Sequence, residues 1–263
     1  MPCVDLADVS LTYHEAGDLG GAPVVFAHAL GTDHSLWEAV LPRLPQGLRL
    51  IAYDLRGHGA SDVPEGPYAM GTLVRDAERL LEHLGLRDTV FVGLSLGGMV
   101  AQGLAVKRLD LVRGLVLSNT AAKIGSPKQW QERMEAVEAG GMAAIAPATI
   151  ERWFARGNRA SAQAAHWRAK LEATPVTGYL GCCAAISGTD FYTPTASLRL
   201  PTLGIAGSED GSTPADLVRE TVDLIPGAEF HLIRRSGHLP CVEQPEAFAE
   251  ALAGFLTRIG HTQ

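Results

Sequence analysis

Short apolar, β-branched runs alternate with longer stretches of helical periodicity through the first half of the chain, and few architectures accommodate that alternation. The runs fall at 11–14, 24–27, 48–53, 89–92 and 115–118, several of them apolar throughout, as strands covered on both faces must be. Between them Leu73, Ala77, Leu80, Leu81 and Leu84 recur at helical spacing, with Gly85 just past the helix end. From about Ala122 to Ser197 no strand run appears; alanine is abundant, and Trp130, Trp153, Phe154 and Trp167 are spread among short helical patterns. Strand texture returns at 200–206 and 229–233, each run followed by a helix, at 215–225 and 247–259. The pattern predicts an α/β fold with a mostly parallel central sheet, helices on both faces, and an inserted helical lid. Residues 1–121 and 198–263 would form the core and residues 122–197 the lid, because a structureless loop of that length is improbable.

Composition narrows the function classes. The 263 residues, 46% hydrophobic, suffice for one large core and exclude a disordered or fibrous chain. The net charge of −7 and the lack of a dense Lys/Arg cluster argue against a nucleic-acid partner. No apolar stretch approaches the roughly 20 residues of a membrane span. The first residues, Pro2, Cys3, Val4 and Asp5, lack the basic and apolar segments of a secretory signal. Cys3, Cys182, Cys183 and Cys241 have no zinc spacing, so reduced thiols in a cytoplasmic protein and no metal are expected.

The sharpest chemical signal is Gly93-Leu94-Ser95-Leu96-Gly97-Gly98, set between the 89–92 strand and a helix predicted over 99–107. A serine on such a strand-to-helix turn projects its hydroxyl from a strained backbone, with N–H groups of the helix start beside it. A serine nucleophile needs a base, and the base an orienting acid. Asp210 follows the 200–206 strand, and His238 lies in Ser236-Gly237-His238-Leu239-Pro240 after the last strand. Spacing alone leaves Glu209 open as the acid beside Asp210. The loop His28-Ala29-Leu30-Gly31-Thr32-Asp33 supplies a second candidate oxyanion donor, Leu30 N–H, to pair with Leu96 N–H. Asp54-Leu55-Arg56-Gly57-His58-Gly59-Ala60-Ser61-Asp62 reads as loop scaffolding, and His14, His83, His166, His231 and His261 have no motif around them.

These motifs and the order Ser95, Asp210, His238 resemble the α/β-hydrolase superfamily across essentially the whole chain. More narrowly the sequence is similar to 3-oxoadipate enol-lactonases. That likeness rests on Leu30-Gly31-Thr32-Asp33 with Trp37 behind it, on Gly178-Tyr179-Leu180-Gly181-Cys182-Cys183-Ala184-Ala185-Ile186, and on Ile205-Ala206-Gly207 leading to Asp210 and Thr213-Pro214. One departure is Ala29, where many superfamily members have glycine after the histidine. The resemblance implies cofactor-free opening of an anionic enol-lactone by water in protocatechuate or catechol catabolism. Ser95 would be nucleophile, Asp210 acid and His238 base. Residues 122–197 carry eight basic side chains against six acidic in a chain of net −7, which suits an anionic substrate. Arg133 and Arg152, each near a tryptophan (Trp130 and Trp153), are the candidate substrate-binding residues. A carboxylesterase or perhydrolase of the same fold is the competing enzymatic reading, and a non-catalytic ligand-binding protein the competing class.

Overall fold

The computed structural model describes residues 1–262. Its strands are β1 (Cys3–Asp5), β2 (Ser10–Gly17), β3 (Ala22–Ala27), β4 (Leu48–Tyr53), β5 (Thr89–Leu94), β6 (Val112–Ser118), β7 (Thr202–Gly207) and β8 (Glu229–Ile233). They form one sheet in the order β1-β2-β4-β3-β5-β6-β7-β8. The β1–β2 and β2–β4 pairs are antiparallel and every pair from β4–β3 onward is parallel. Burial follows position in the sheet. All residues of β5 and β7 are buried, whereas the edge strand β8 carries Glu229 and His231 outward. β1 was not anticipated, since three residues with a single inward Val4 show no usable period.

The helices around the sheet are α1 (Met70–His83), α2 (Leu96–Lys107), α7 (Ala215–Asp223), α8 (Pro240–Glu243) and α9 (Pro245–Arg258). α1 buries Leu73, Val74, Ala77, Leu80 and Leu81 on one stripe, so its apolar spacing is that of a half-buried surface helix. α2 has no such stripe: it is buried from Leu96 to Ala105 and begins at Leu96, three residues before the expected start, because the turn at Ser95 leads straight into it. Aromatic packing of Phe26 on Trp37 (5.2 Å between centroids) and of Trp37 on Phe248 (5.7 Å) ties β3 to α9.

Between β6 and β7 run α3 (Pro127–Trp153), α4 (Ala162–Glu172), α5 (Val176–Ser187) and α6 (Tyr192–Ala196), with no strand among them. Short helices were expected throughout this stretch, and α3, 27 residues in all, is two shorter helices run together. A capping box of Ser126 and Gln129 starts it, and it kinks at Gly141. Because β3, β5, β6, β7 and β8 are parallel, the loops that follow them share one edge of the sheet, beneath these helices. No helix among the described residues is long and apolar enough to cross a membrane.

Candidate active site

Ser95 sits between β5 and α2 at φ 56°, ψ −113°, a conformation that costs about 1–3 kcal/mol and persists only where its surroundings enforce it. Its N–H donates to Ser118 O (2.9 Å), and its carbonyl accepts from Thr120 Oγ1 (2.6 Å). The flanking glycines are required by space. A Cβ on Gly93 would lie 2.2 Å from Gly97 O, and one on Gly97 would lie 2.2 Å from Ala27 O. Only two bare backbones can approach that closely, so the sequence pattern and the sharp turn are one fact.

Asp210 and His238 meet across the ends of β7 and β8, with His238 Nδ1 2.9 Å from Asp210 Oδ2. The same carboxylate oxygen accepts from Asn119 Nδ2 (2.8 Å) and Thr213 Oγ1 (2.8 Å), and Oδ1 accepts from the N–H groups of Ser212 (2.7 Å) and Thr213 (3.0 Å). Burial by itself would raise the Asp210 carboxyl, but the neighbouring His238 and the hydrogen bonds from Asn119 and Ser212 more than offset it and hold it below the usual carboxylate range. An ionised Asp210 can only accept, so His238 donates from Nδ1 and leaves the Nε2 lone pair for proton abstraction. Glu209 is exposed, its Oε2 accepting the Arg156 N–H (3.0 Å).

Ser95 and His238 line one cavity of about 500 Å³ together with Leu30, Trp130, Arg133, Arg152, Trp153, Tyr179 and Thr213. Among the described residues no hydrogen bond joins Ser95 to His238, the looser arrangement usual before substrate closes a site. Neither Leu30 N–H nor Leu96 N–H has a protein acceptor among the described residues, so both remain available to a developing oxyanion. A larger surface concavity of about 680 Å³, lined by His14, Asp18, Glu38 and Pro42 among others, lies away from these groups.

The two arginines converge on one buried hydroxyl. Arg133 Nη2 donates to Thr149 Oγ1 (2.9 Å) and its Nε to Tyr179 OH (2.7 Å), while Arg152 Nη2 reaches Thr149 Oγ1 at 3.4 Å. Burial and then the Arg133 charge hold Arg152 below its ordinary value. Neither has a carboxylate partner among the described residues, although Lys123, Lys128, Arg168 and Lys170 of the same segment pair with Asp190, Glu132, Glu172 and Asp33. Trp130 is fixed by donation from Nε1 to Ile124 O (2.6 Å).

Sequence reasoning missed Asn119 and Glu243, and it noted Thr213 without giving it a role. Glu243 accepts the N–H groups of Gly237 (2.6 Å) and Ala155 (3.0 Å) and the Asn158 amide (2.8 Å). Together with His238 N–H donating to Trp153 O (2.8 Å) and Gly211 N–H to Arg152 O (3.1 Å), it joins the end of α3 to the loops of Asp210 and His238. An asparagine directly after a strand at φ 45° is a recognisable oddity, but only once its backbone is known.

A mostly parallel sheet with a strained serine after β5, an acid after β7 and a histidine after β8 defines the class. A family model described as alpha/beta hydrolase fold matches residues 22–245, and the chain belongs to that family. Within it the chain is 32% identical over 256 residues to 3-oxoadipate enol-lactonase 2 of Acinetobacter baylyi, covering 95% of this chain and 94% of that one. It is 35% identical over 238 residues to enol-lactonase 1 of the same organism, covering 90% and 89%. The crystal structure of the enol-lactonase from Burkholderia xenovorans LB400 superposes with a TM-score of 0.93 at 32% identity, covering 97% of this chain and all of that one. The protein is an ester-hydrolysing enzyme of the α/β-hydrolase family.

Proposed function

We propose that the protein hydrolyses 3-oxoadipate enol-lactone to 3-oxoadipate through an acyl-enzyme on Ser95, as a step of aromatic catabolism. The observation that carries this reading beyond general ester hydrolysis is the pair Arg133 and Arg152, two cations without carboxylate partners among the described residues, in the cavity of Ser95 and His238. Like charges held together in a half-buried cavity are costly, and an anionic ligand between them relieves that cost. The pendant carboxylate of the enol-lactone is such a ligand, and helices α3–α6 would serve as the lid that holds it. The likeness to enol-lactonases supports the same assignment.

In this reading Ser95 Oγ attacks the lactone carbonyl as its proton passes to His238 Nε2. The tetrahedral oxyanion accepts from Leu30 N–H and Leu96 N–H. Collapse breaks the ring C–O bond and releases an enolate, which takes the proton from His238 Nε2 and tautomerises to the 3-oxo group, leaving His238 neutral and the acyl chain esterified to Ser95. An enolate leaves more readily than an alkoxide, so His238 matters more in the second half-reaction. There it takes a proton from water, the hydroxide attacks the acyl carbon, and collapse returns the proton to Ser95 and frees the new carboxylate. The test is turnover of freshly generated enol-lactone by purified protein, followed as loss of enol absorbance. The expected result is rapid hydrolysis abolished by Ser95→Ala. Hydrolysis of simple esters with none of the enol-lactone would leave a general esterase.

A further inference from the structure

The peptide groups on either side of Leu30 are both held from beneath, by side chains that do not line the cavity. Ala29 O, in the peptide whose N–H belongs to Leu30, accepts from His28 Nδ1 (2.8 Å), Thr32 Oγ1 (2.9 Å) and Thr32 N (3.2 Å). The next peptide gives its Gly31 N–H to His58 Nε2 at 3.0 Å. A backbone N–H can only donate, so His58 Nε2 is unprotonated and its proton is on Nδ1, which faces Arg56 O at 3.3 Å. His28 has the same tautomer, since Leu55 N–H donates to its Nε2 (2.9 Å). The two rings lie 5.3 Å apart, and neither is accessible to solvent. The Asp54–Asp62 loop that carries His58 is itself fixed: Asp54 accepts from Ala60 N–H (2.9 Å), and Arg56 makes a two-point ion pair with buried Asp76 (2.5 and 2.7 Å).

We propose that His58 is a positioning residue for the oxyanion hole: by accepting the Gly31 N–H it fixes the peptide after Leu30 and thereby the place from which the Leu30 N–H donates. The proposal rests on the acyl-transfer reading above. A trans peptide directs its C=O and N–H to opposite sides, so anchoring the Ala29 carbonyl inward aims the Leu30 N–H outward, and an anchor on the following peptide keeps Leu30 itself from shifting. His58 supplies that second constraint. Burial, with the adjacent His28 adding to it, depresses His58 to about 3 and keeps the ring an acceptor at working pH. Small displacements of an oxyanion donor cost rate, not ground-state binding, because the charge it serves exists only in the transition state.

The experiment compares His58→Gln, whose amide oxygen can accept at the position of Nε2, with His58→Phe, which fills the space without an acceptor. Each is assayed for kcat and KM on p-nitrophenyl acetate, for labelling by a fluorophosphonate, and for affinity toward an aryl trifluoromethyl ketone, whose hemiketal oxyanion needs the hole. Loss of a whole oxyanion donor costs about 10²–10³ in kcat, so His58→Phe should lose roughly 10–100-fold in kcat and similarly in ketone affinity, with KM little changed. His58→Gln should recover most of that loss. Undiminished kcat in His58→Phe, or equal losses in the two variants, overturns the proposal while labelled wild-type Ser95 leaves acyl transfer standing. A wild type that takes no label overturns both. If His58→Phe fails to fold, 15N NMR of the wild type decides: the His58 Nε2 resonance moves when the ketone adduct forms, and an unmoved resonance rejects the role.

Discussion

Asn119 Nδ2 donates to Asp210 Oδ2 at 2.8 Å and to Gly237 O at 3.2 Å, so one buried amide joins the loop of the acid to the loop of His238. Both partners can only accept, which fixes the NH2 end of the amide toward Asp210, and Oδ1 accepts from Ser118 Oγ (2.9 Å). Asn119→Ala should lower kcat roughly 10–100-fold, less than removal of the proposed nucleophile, acid or base, with KM nearly constant. It should also lower stability by about 1–3 kcal/mol through the orphaned Gly237 carbonyl, read as a fall in Tm of several degrees. Unchanged kcat in a folded variant would make the amide purely structural.

Ser95→Ala should fold normally and lose nearly all turnover. The substitution removes one hydroxyl from a position 8% exposed and leaves the turn, held by Ser118 and Thr120, intact. Residual activity from binding and the oxyanion hole should stay below about a thousandth of wild type, measured with matched Tm as the folding control. Near-full activity would exclude Ser95 as nucleophile.

Asp210→Asn and Glu209→Gln should separate the neighbours that spacing could not. An amide at 210 favours the wrong His238 tautomer, a loss on the order of 10⁴-fold in serine proteases. Glu209 is exposed and holds only the Arg156 N–H among the described residues, so its amide variant should stay within about threefold, as surface changes usually do. Paired kinetics with the opposite ranking would reassign the acid.

Much of this site was legible because its signals are local. The strands at 48–53 and 229–233 were readable to the residue, since apolar runs bounded by turns mark a sheet, and Gly93 and Gly97 announced a turn that admits no side chain. Asp210 and His238 were legible by their order along the chain. Asn119 and Glu243 were not: Asn119 acts on loops far away in sequence that only the pairing of β6, β7 and β8 brings together, and Glu243 ties its own loop to the distant end of α3. Nor could spacing show that Arg133 and Arg152, on either side of the kink at Gly141, would meet at Thr149.

His28 and His58 make an acid-side stability prediction. Burial depresses both, His58 to about 3, so between that value and about 6.5, the ordinary histidine value, the unfolded chain binds protons that the folded chain does not. Stability therefore rises with pH through this window and falls on acidification, by up to about 1.4 kcal/mol per pH unit for each such histidine. Urea unfolding at pH 6.5, 5.5 and 4.5 should show a decline that His58→Gln makes shallower. Parallel declines in the two proteins would contradict a neutral His58.

The most direct measurement compares the enol-lactone acid with its methyl ester on the wild-type enzyme. If Arg133 and Arg152 receive the carboxylate, esterification leaves two half-buried guanidinium groups without an anionic partner, and kcat/KM should fall at least roughly tenfold, about 1.4 kcal/mol. Arg133→Ala and Arg152→Ala should each weaken the acid more than the ester. Equal kcat/KM for acid and ester, with both arginine variants silent, would contradict the lactonase account and leave a general esterase.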